Sequence, residues 1–386
     1  LPNLRLTFIL LIAGIVLCGA PAHALPKSPH ILVDLERGLV VDDQFAGQKW
    51  YPASLTKLMT TYVVFRAIAA GEITLETPVT ISANALAEPP SKMGYAVGTQ
   101  MTVDNALKML LVKSANDIAV ALAETVGGTT AQFIGRMNAE AGRLGMHSTR
   151  YTNPNGLPSD GQITSARDQA VLARALWQEF PAYRSYFGIT AIQSGKRILR
   201  TYNPLLERYT GATGMKTGFI CNSGFNLVAT ATRDGRSMLA VVMGAYSAKG
   251  RAETAALLLD QGFRSWRVGK ESLDTFAGTA ESAEPINMRA EVCGRRKAHE
   301  GEDLAEGEGM PIPALGPRVH IMDPVRVVTI AKQPSATQVK GMPLPRPRPA
   351  EEEMHAQAYS PDSNTPMIDA IGEAIHATPT AGPSLP

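Results

Sequence analysis

The chain has 386 residues, 45% of them hydrophobic and 19% charged, enough to bury the core of one large domain or two medium ones. A net charge of +2 and only 6% aromatics exclude a polybasic or base-stacking surface, so no nucleic acid is expected as a ligand. Three cysteines exclude a disulfide-dense scaffold and a four-cysteine zinc or iron–sulfur site.

The chain opens as a targeting segment. Arg5 precedes an apolar run of about 13 residues, shorter than the ~18–20 that a spanning helix needs. Ala22-His23-Ala24 then supplies a small-x-small cleavage pattern, so residues 1–24 read as a secretory signal, with an uncleaved membrane anchor as the alternative. Leu17, ahead of Cys18, is not the small residue a lipoprotein site requires. Leu1 stands where Met would open a leader, which points to an unusual start or to a few missing residues. Cleavage leaves Cys221 and Cys293, in a compartment where one disulfide or two free thiols are both open.

Beyond the leader, ILVDLERGLVV (31–41) reads as two strands around a turn at Glu36-Arg37-Gly38. Residues 55–70 have helical periodicity and stop at Gly71. Thr102 and Asp104 open a helix through ALKMLL, and a second helix, IAVALAETV, stops at Gly127-Gly128. TAQFIGRMNAEAGRLGM and TSARDQAVLARALWQEF are two more, the second halted by Pro181. The period then changes. FICNSGFNLVATAT (219–232) alternates, Arg233-Asp234-Gly235-Arg236 is a hairpin turn, SMLAVVMGA returns, and GRAETAALLLDQGFRSW closes with a helix. Strands framing a helical middle predict an α/β domain with an antiparallel sheet and a helical lobe.

The tail differs in composition. Residues 281–386 hold 15 of the 27 prolines, and MPLPRPRPAEEE is linker-like. The expected organisation is therefore a domain over 29–268 and a low-complexity, mostly disordered tail over 269–386, with short strands at 318–331. IDAIGEAIHA is too short and too uncharged to predict an anchor, which leaves membrane association open. The clusters Arg295-Arg296-Lys297 and Glu351-Glu352-Glu353 read as solvated charge.

Three short motifs carry chemistry. In Ser54-Leu55-Thr56-Lys57, at the start of a helix, positions i and i+3 share a face, so an amine stands beside a hydroxyl. A serine is a poor nucleophile until a neighbour takes its proton, and a lysine with a lowered pKa can do so. The helix N-terminus adds N–H groups that favour developing negative charge. In Ser114-Ala115-Asn116 a hydroxyl and an amide sit two residues apart on a tight connection, suited to proton relay and to holding a substrate amide. In Lys216-Thr217-Gly218, ahead of the alternating strand, Gly218 lets a peptide backbone approach a sheet edge while Lys216 and Thr217 offer donors to a carboxylate. Each motif alone is weak; their order and local structures together raise the signal.

Together they resemble the active-site serine penicillin-recognising enzymes, most closely the low-molecular-mass penicillin-binding proteins that are D-alanyl-D-alanine carboxypeptidases. PASLTKLMTTYVV, LLVKSANDIAVALAE, MNAEAGRLGM, TRYTNPNGL, TSARDQAVLARA, GMKTGFICNSGFNLVATATRDGR and LLLDQGF carry the resemblance, over about residues 29–266. The tail does not share it: neither the family's β-rich second domain nor its amphipathic anchor is recognisable. The resemblance implies a β-lactamase/transpeptidase-like fold with Ser54 as the acylated nucleophile, Lys57 as its general base and Ser114 in proton relay. It implies Asn116 on the peptide amide, Lys216 as a source of positive potential, Thr217 on the terminal carboxylate, and Gly218 at the strand edge. The backbone N–H groups of Ser54 and Phe219 would form the oxyanion hole, and Arg251 would also serve the carboxylate. The expected substrate is the acyl-D-Ala-D-Ala end of a peptidoglycan stem peptide, with β-lactams as covalent inhibitors and no cofactor. The expected location is periplasmic or secreted, with peripheral attachment to the inner membrane open. Cys221 and Ser223 depart from the family's usual residues near the strand.

Other chemistries fit less well. His23 belongs to the leader, and His299, His320, His355 and His376 lie in the tail. Only His30 and His147 remain near the domain, and there is no G-x-S-x-G elbow, which disfavours a Ser-His-Asp hydrolase. No H-E-x-x-H or paired Cys/His spacing points to a metal. GATGMKT lacks the Gly before Lys of a phosphate loop. No E-x-x-L-N follows the second motif, which disfavours a class A β-lactamase. A D,D-endopeptidase cutting cross-links, and a non-catalytic wall-binding module, remain the alternatives.

Overall fold

The first hairpin sets the pattern of the fold. β1 (His30–Asp34) and β2 (Leu39–Gln44) pair antiparallel around a turn in which Asp34 accepts from the Arg37 N–H and Gly38 takes a φ of +66°. In the computed structural model the described residues are 28–265, 271–294, 315–318 and 322–330, and all belong to one compact unit. The helical middle follows in chain order. α1 (Thr56–Ala69) leads to β3 (Pro78–Thr80), α2 (Ala83–Ala87), β4 (Gln100–Thr102), α3 (Val103–Val112), α4 (Asn116–Gly127), α5 (Thr130–Arg143) and α6 (Ala166–Glu179). A small hairpin, β5 (Ala191–Ser194) with β6 (Arg197–Arg200), and a short helix α7 (Leu205–Arg208) come next. The chain then returns to the sheet with β7 (Ala212–Ile220), β8 (Gly224–Arg233) and β9 (Arg236–Ala245), closed by α8 (Ala248–Arg264). Past it lie β10 (Glu271–Ser272), α9 (Arg289–Val292) and β11 (Val325–Val327).

The main sheet runs β10-β2-β1-β9-β8-β7, antiparallel throughout. β8 and β9 are buried along almost their whole length because α6 and α8 pack on them. β7 is left as an edge strand. This is the α/β layout expected from the alternation of strand and helix periods.

Local signals placed most elements. Thr102, Thr129, Ser165 and Ser247 each cap a helix by accepting a backbone N–H three residues on. Gly71, at φ +72°, follows α1, and Asp234-Gly235, both at positive φ, make the β8–β9 turn. One expectation is revised. The alternating run 219–232 is not one strand: it breaks at residues 221–223, where the Ser223 N–H closes a turn onto the Ile220 carbonyl and Gly224 takes φ +63°. Lys216-Thr217-Gly218 therefore lies inside β7, not ahead of the strand.

α1 passes through the interior. Eleven of its fourteen residues are buried, so its polar side chains must find protein partners rather than water. Tyr62 does so at its far end, donating to Glu179 of α6 and accepting from Arg143 of α5.

The described residues beyond position 268 pack onto the domain that composition ended there. β10 pairs with β2, Leu273 is buried, and the Gln48 side chain accepts from the N–H groups of Glu281 and Ser282. Met288 is buried, and Cys293 forms a disulfide with Cys221, Cα–Cα 5.8 Å, which resolves the thiol question. Leu315 is buried, Arg318 pairs with Glu207 at 3.0 Å, and β11, within the stretch expected to hold strands, runs parallel to β5. These anchors are too widely spaced to show a period, so sequence composition alone did not separate them from linker. The leader 1–24, the two charge clusters and the stretch 331–386 lie outside the described residues. Among the described residues no helix is long and apolar enough to cross a membrane.

Candidate active site

A cleft of about 250 Å³ opens between the helical lobe and the free edge of β7. Ser54, Ser91, Ser114, Asn116, Asn155, Tyr202 and Phe219 are among its lining residues.

Ser54 sits in a single 3₁₀ turn, Ala53–Leu55, that runs straight into α1. Three residues on, Lys57 is completely buried and its Nζ lies 3.0 Å from Ser54 Oγ. The same Nζ donates to Asn116 Oδ1 at 2.8 Å and to the Asn155 carbonyl at 2.6 Å. Asn116, at the first position of α4, is itself fixed by its N–H on the Ser91 carbonyl and its Nδ2 on the Pro89 carbonyl. Ser114 joins α3 to α4 at φ +61°, a left-handed conformation that is costly for a side chain and is tolerated where the surroundings enforce it. Its Oγ is buried and makes no hydrogen bond to the protein, which leaves its donor and acceptor capacity to the cleft.

The edge of β7 meets the nucleophile turn directly. A Cβ on Gly218 would stand 3.0 Å from Ser54 N and 3.1 Å from Leu55 N, so only glycine lets the strand lie this close without displacement. Phe219 and Ile220 continue the strand along the cleft. Lys216 and Thr217 are buried on the same strand, with Lys216 Nζ on the Thr217 carbonyl at 2.9 Å. Arg251 is fully buried on α8. It donates to the carbonyls of Tyr202 and Asn226, and Asn226 pairs across the sheet with Gly218, so this cation lies one strand behind the edge.

Several residues of the site were not singled out from the sequence. The loop Asn153–Leu157 closes over α1: Asn155 holds Lys57, Thr60 donates to the Pro154 carbonyl, and Asn153 Oδ1 accepts from the Gly156 N–H. The Asn-Pro and Asn-Gly pairs in this run are turn signals that mark a tight loop, though not its destination. Asn226 ties down the approach to Ser54, donating to the carbonyls of Tyr51 and Pro52 and accepting from the Gly244 N–H of β9. The β7–β8 turn at the rim is held from outside by the Cys221–Cys293 disulfide and by Arg289 on Asn222.

A family model described as D-alanyl-D-alanine carboxypeptidase, peptidase S11, matches residues 20–247. The chain belongs to that family. D-alanyl-D-alanine carboxypeptidase DacA of Escherichia coli K12 is 35% identical over 255 residues, 63% of this chain and 63% of its own length. The shared part is thus less than two thirds of that relative. Among solved structures, penicillin binding protein 6B from Escherichia coli is similar with a TM-score of 0.59 at 35% identity, over 63% of this chain and 80% of that one. Penicillin-binding protein D2 from Listeria monocytogenes, in its ampicillin-bound form, gives 0.54 at 26% identity, over 61% and 96%. The family match ends at residue 247, ahead of α8 and of the residues 271–294 that pack onto the domain.

Proposed function

We propose that this S11 chain is a serine D-Ala-D-Ala carboxypeptidase that works through an acyl-enzyme on Ser54. The observation that carries the reading is the buried Lys57 amine 3.0 Å from Ser54 Oγ, beside a glycine-bearing strand edge. A stem peptide would lie along β7 as an added strand. Neutral Lys57 takes the Ser54 proton as Oγ bonds to the penultimate D-Ala carbonyl carbon. The N–H groups of Ser54 and Phe219 receive the oxyanion. The C–N bond breaks, the terminal D-Ala nitrogen takes a proton, and water then hydrolyses the ester to restore Ser54. Ser114 relays protons and Asn116 holds the peptide amide, while Lys216 and Arg251 supply positive potential behind the strand and Thr217 takes the terminal carboxylate. A β-lactam would acylate Ser54 by opening its ring amide, and ampicillin bound to a family relative supports this. Export to the periplasm or outside the cell is part of the same proposal, supported by the leader-like residues 1–24 and the disulfide.

Fluorescent penicillin and mass spectrometry test the reading. Wild type should form an adduct on the peptide containing Ser54, and Ser54→Ala should not. D-Ala release from a pentapeptide, without cleavage of cross-linked dimers, then separates carboxypeptidase from endopeptidase. No adduct on wild type would defeat the proposal.

A further inference from the structure

Lys57 presents a difficulty for its own role. Its Nζ faces three acceptors, Ser54 Oγ, Asn116 Oδ1 and the Asn155 carbonyl, a shell that satisfies all three protons of an ammonium. A base must be neutral, so whatever else bears on that ammonium sets when the enzyme is active.

One carboxylate that bears on it is Glu88, the residue that ends α2. Glu88 Oε2 accepts from Asn155 Nδ2 at 2.9 Å, and the same Asn155 gives its carbonyl to Lys57 at 2.6 Å. Asn155 Oδ1 accepts from the Leu157 N–H, so the backbone carbonyl and both polar side-chain groups of this residue are engaged at once. The stretch that follows Glu88 is also tied to the site. The Pro89 and Ser91 carbonyls hold Asn116, and Lys92 donates back to the Glu88 carbonyl at 2.8 Å. Glu88 and Lys57 are therefore bridged by one residue and flanked by one loop.

We infer that Glu88 is a positioning residue for the acylation: through Asn155 it fixes the carbonyl that grips Lys57, and its negative charge favours the Lys57 ammonium. The inference rests on the acyl-enzyme reading above. Burial pushes the Glu88 carboxyl above the usual carboxylate range, while the Asn155 hydrogen bond and the charges of Lys57 and Lys92 pull it back and Asp117 adds to the rise. Those charges come from α1, the loop after α2 and α4. Lys216 on β7 and Arg251 on α8 are further buried cations near the cleft. A half-buried carboxylate is screened less than a surface one, so its field reaches Lys57.

The sign follows directly. Removing the negative charge makes the ammonium less favourable, so Lys57 loses its proton at lower pH. Glu88→Gln keeps an acceptor for Asn155 and removes only the charge. Its second-order rate of penicillin acylation, measured across roughly pH 5 to 10, should show the acid limb displaced downward by about one pH unit. Glu88→Ala removes the acceptor as well, and should lower the plateau about tenfold because Asn155 is no longer held. A purely structural role would change the plateau and the melting temperature but leave the limb in place. A Glu88→Gln limb within about 0.2 pH unit of wild type, at unchanged melting temperature, overturns the inference alone. Absence of any Ser54 adduct in wild type overturns the acyl-enzyme reading and this inference with it.

Discussion

Gly156 offers the sharpest test of how the nucleophile is positioned. Its φ is +90°, and a Cβ built there would lie 1.8 Å from the Ala53 carbonyl oxygen, 2.4 Å from its carbon and 3.0 Å from Ser54 N. All three contacts are backbone, so no side chain can swing away. Gly156→Ala must open the gap from 1.8 Å to at least 3.0 Å, a displacement of about 1.2 Å. Neither side yields cheaply. Ala53 is itself at φ +47° and buried, and Gly156 is joined to Asn155, which holds Lys57. The left-handed backbone adds about 1–3 kcal/mol of strain for a non-glycine residue. A shift of about 1 Å between reacting groups costs on the order of 10²-fold in rate. Acylation by fluorescent penicillin should therefore fall about a hundredfold, with a melting temperature lower by roughly 3–10 °C. Gly71→Ala is the control, because Gly71 has φ +72° but nothing within 4 Å of a Cβ. It should lose stability through backbone strain and keep its acylation rate. If Gly156→Ala acylates within about threefold of wild type, the contact between this loop and the Ser54 turn does not position the nucleophile.

Two further outcomes are expected. Asn226→Ala removes buried hydrogen bonds to Tyr51, Pro52 and Gly244. It should cost about 2–4 kcal/mol in urea unfolding and slow acylation at least about tenfold; a variant with wild-type acylation would show that the approach to Ser54 holds without it. Cys293→Ser opens a loop closed across 72 residues. The chain-entropy bound for that loop is about 4 kcal/mol, and reduction of wild type should reproduce the loss, so an unchanged urea midpoint in both would mean that packing of residues 271–294 suffices.

Much of this was legible from local signals. Ser54, Lys57, Ser114 and Asn116 do gather on one cleft, because an i, i+3 spacing and a two-residue helix joint place groups by short-range geometry alone. The two hairpins around Gly38 and Asp234-Gly235, and the Thr102 helix cap, were readable for the same reason. Lys216, Thr217 and Arg251 show the limit. Their burial, and the bond of Lys216 to the Thr217 carbonyl, depend on neighbours that a motif does not contain.

Helix periodicity and turn chemistry determined the α/β class, the longer helices, the two hairpins and the serine–lysine pair, because each depends on residues within about one helical turn or one hairpin. Only the tertiary structure decided that Asn155, nearly a hundred positions from Lys57, supplies its third acceptor, and that Glu88 stands behind it. It also decided that Asn226 on β8 fixes the approach to Ser54, and that residues 271–294 return to clamp the β7–β8 turn. These contacts join distant stretches through backbone carbonyls and single buried side chains, which leave no periodic trace in the chain.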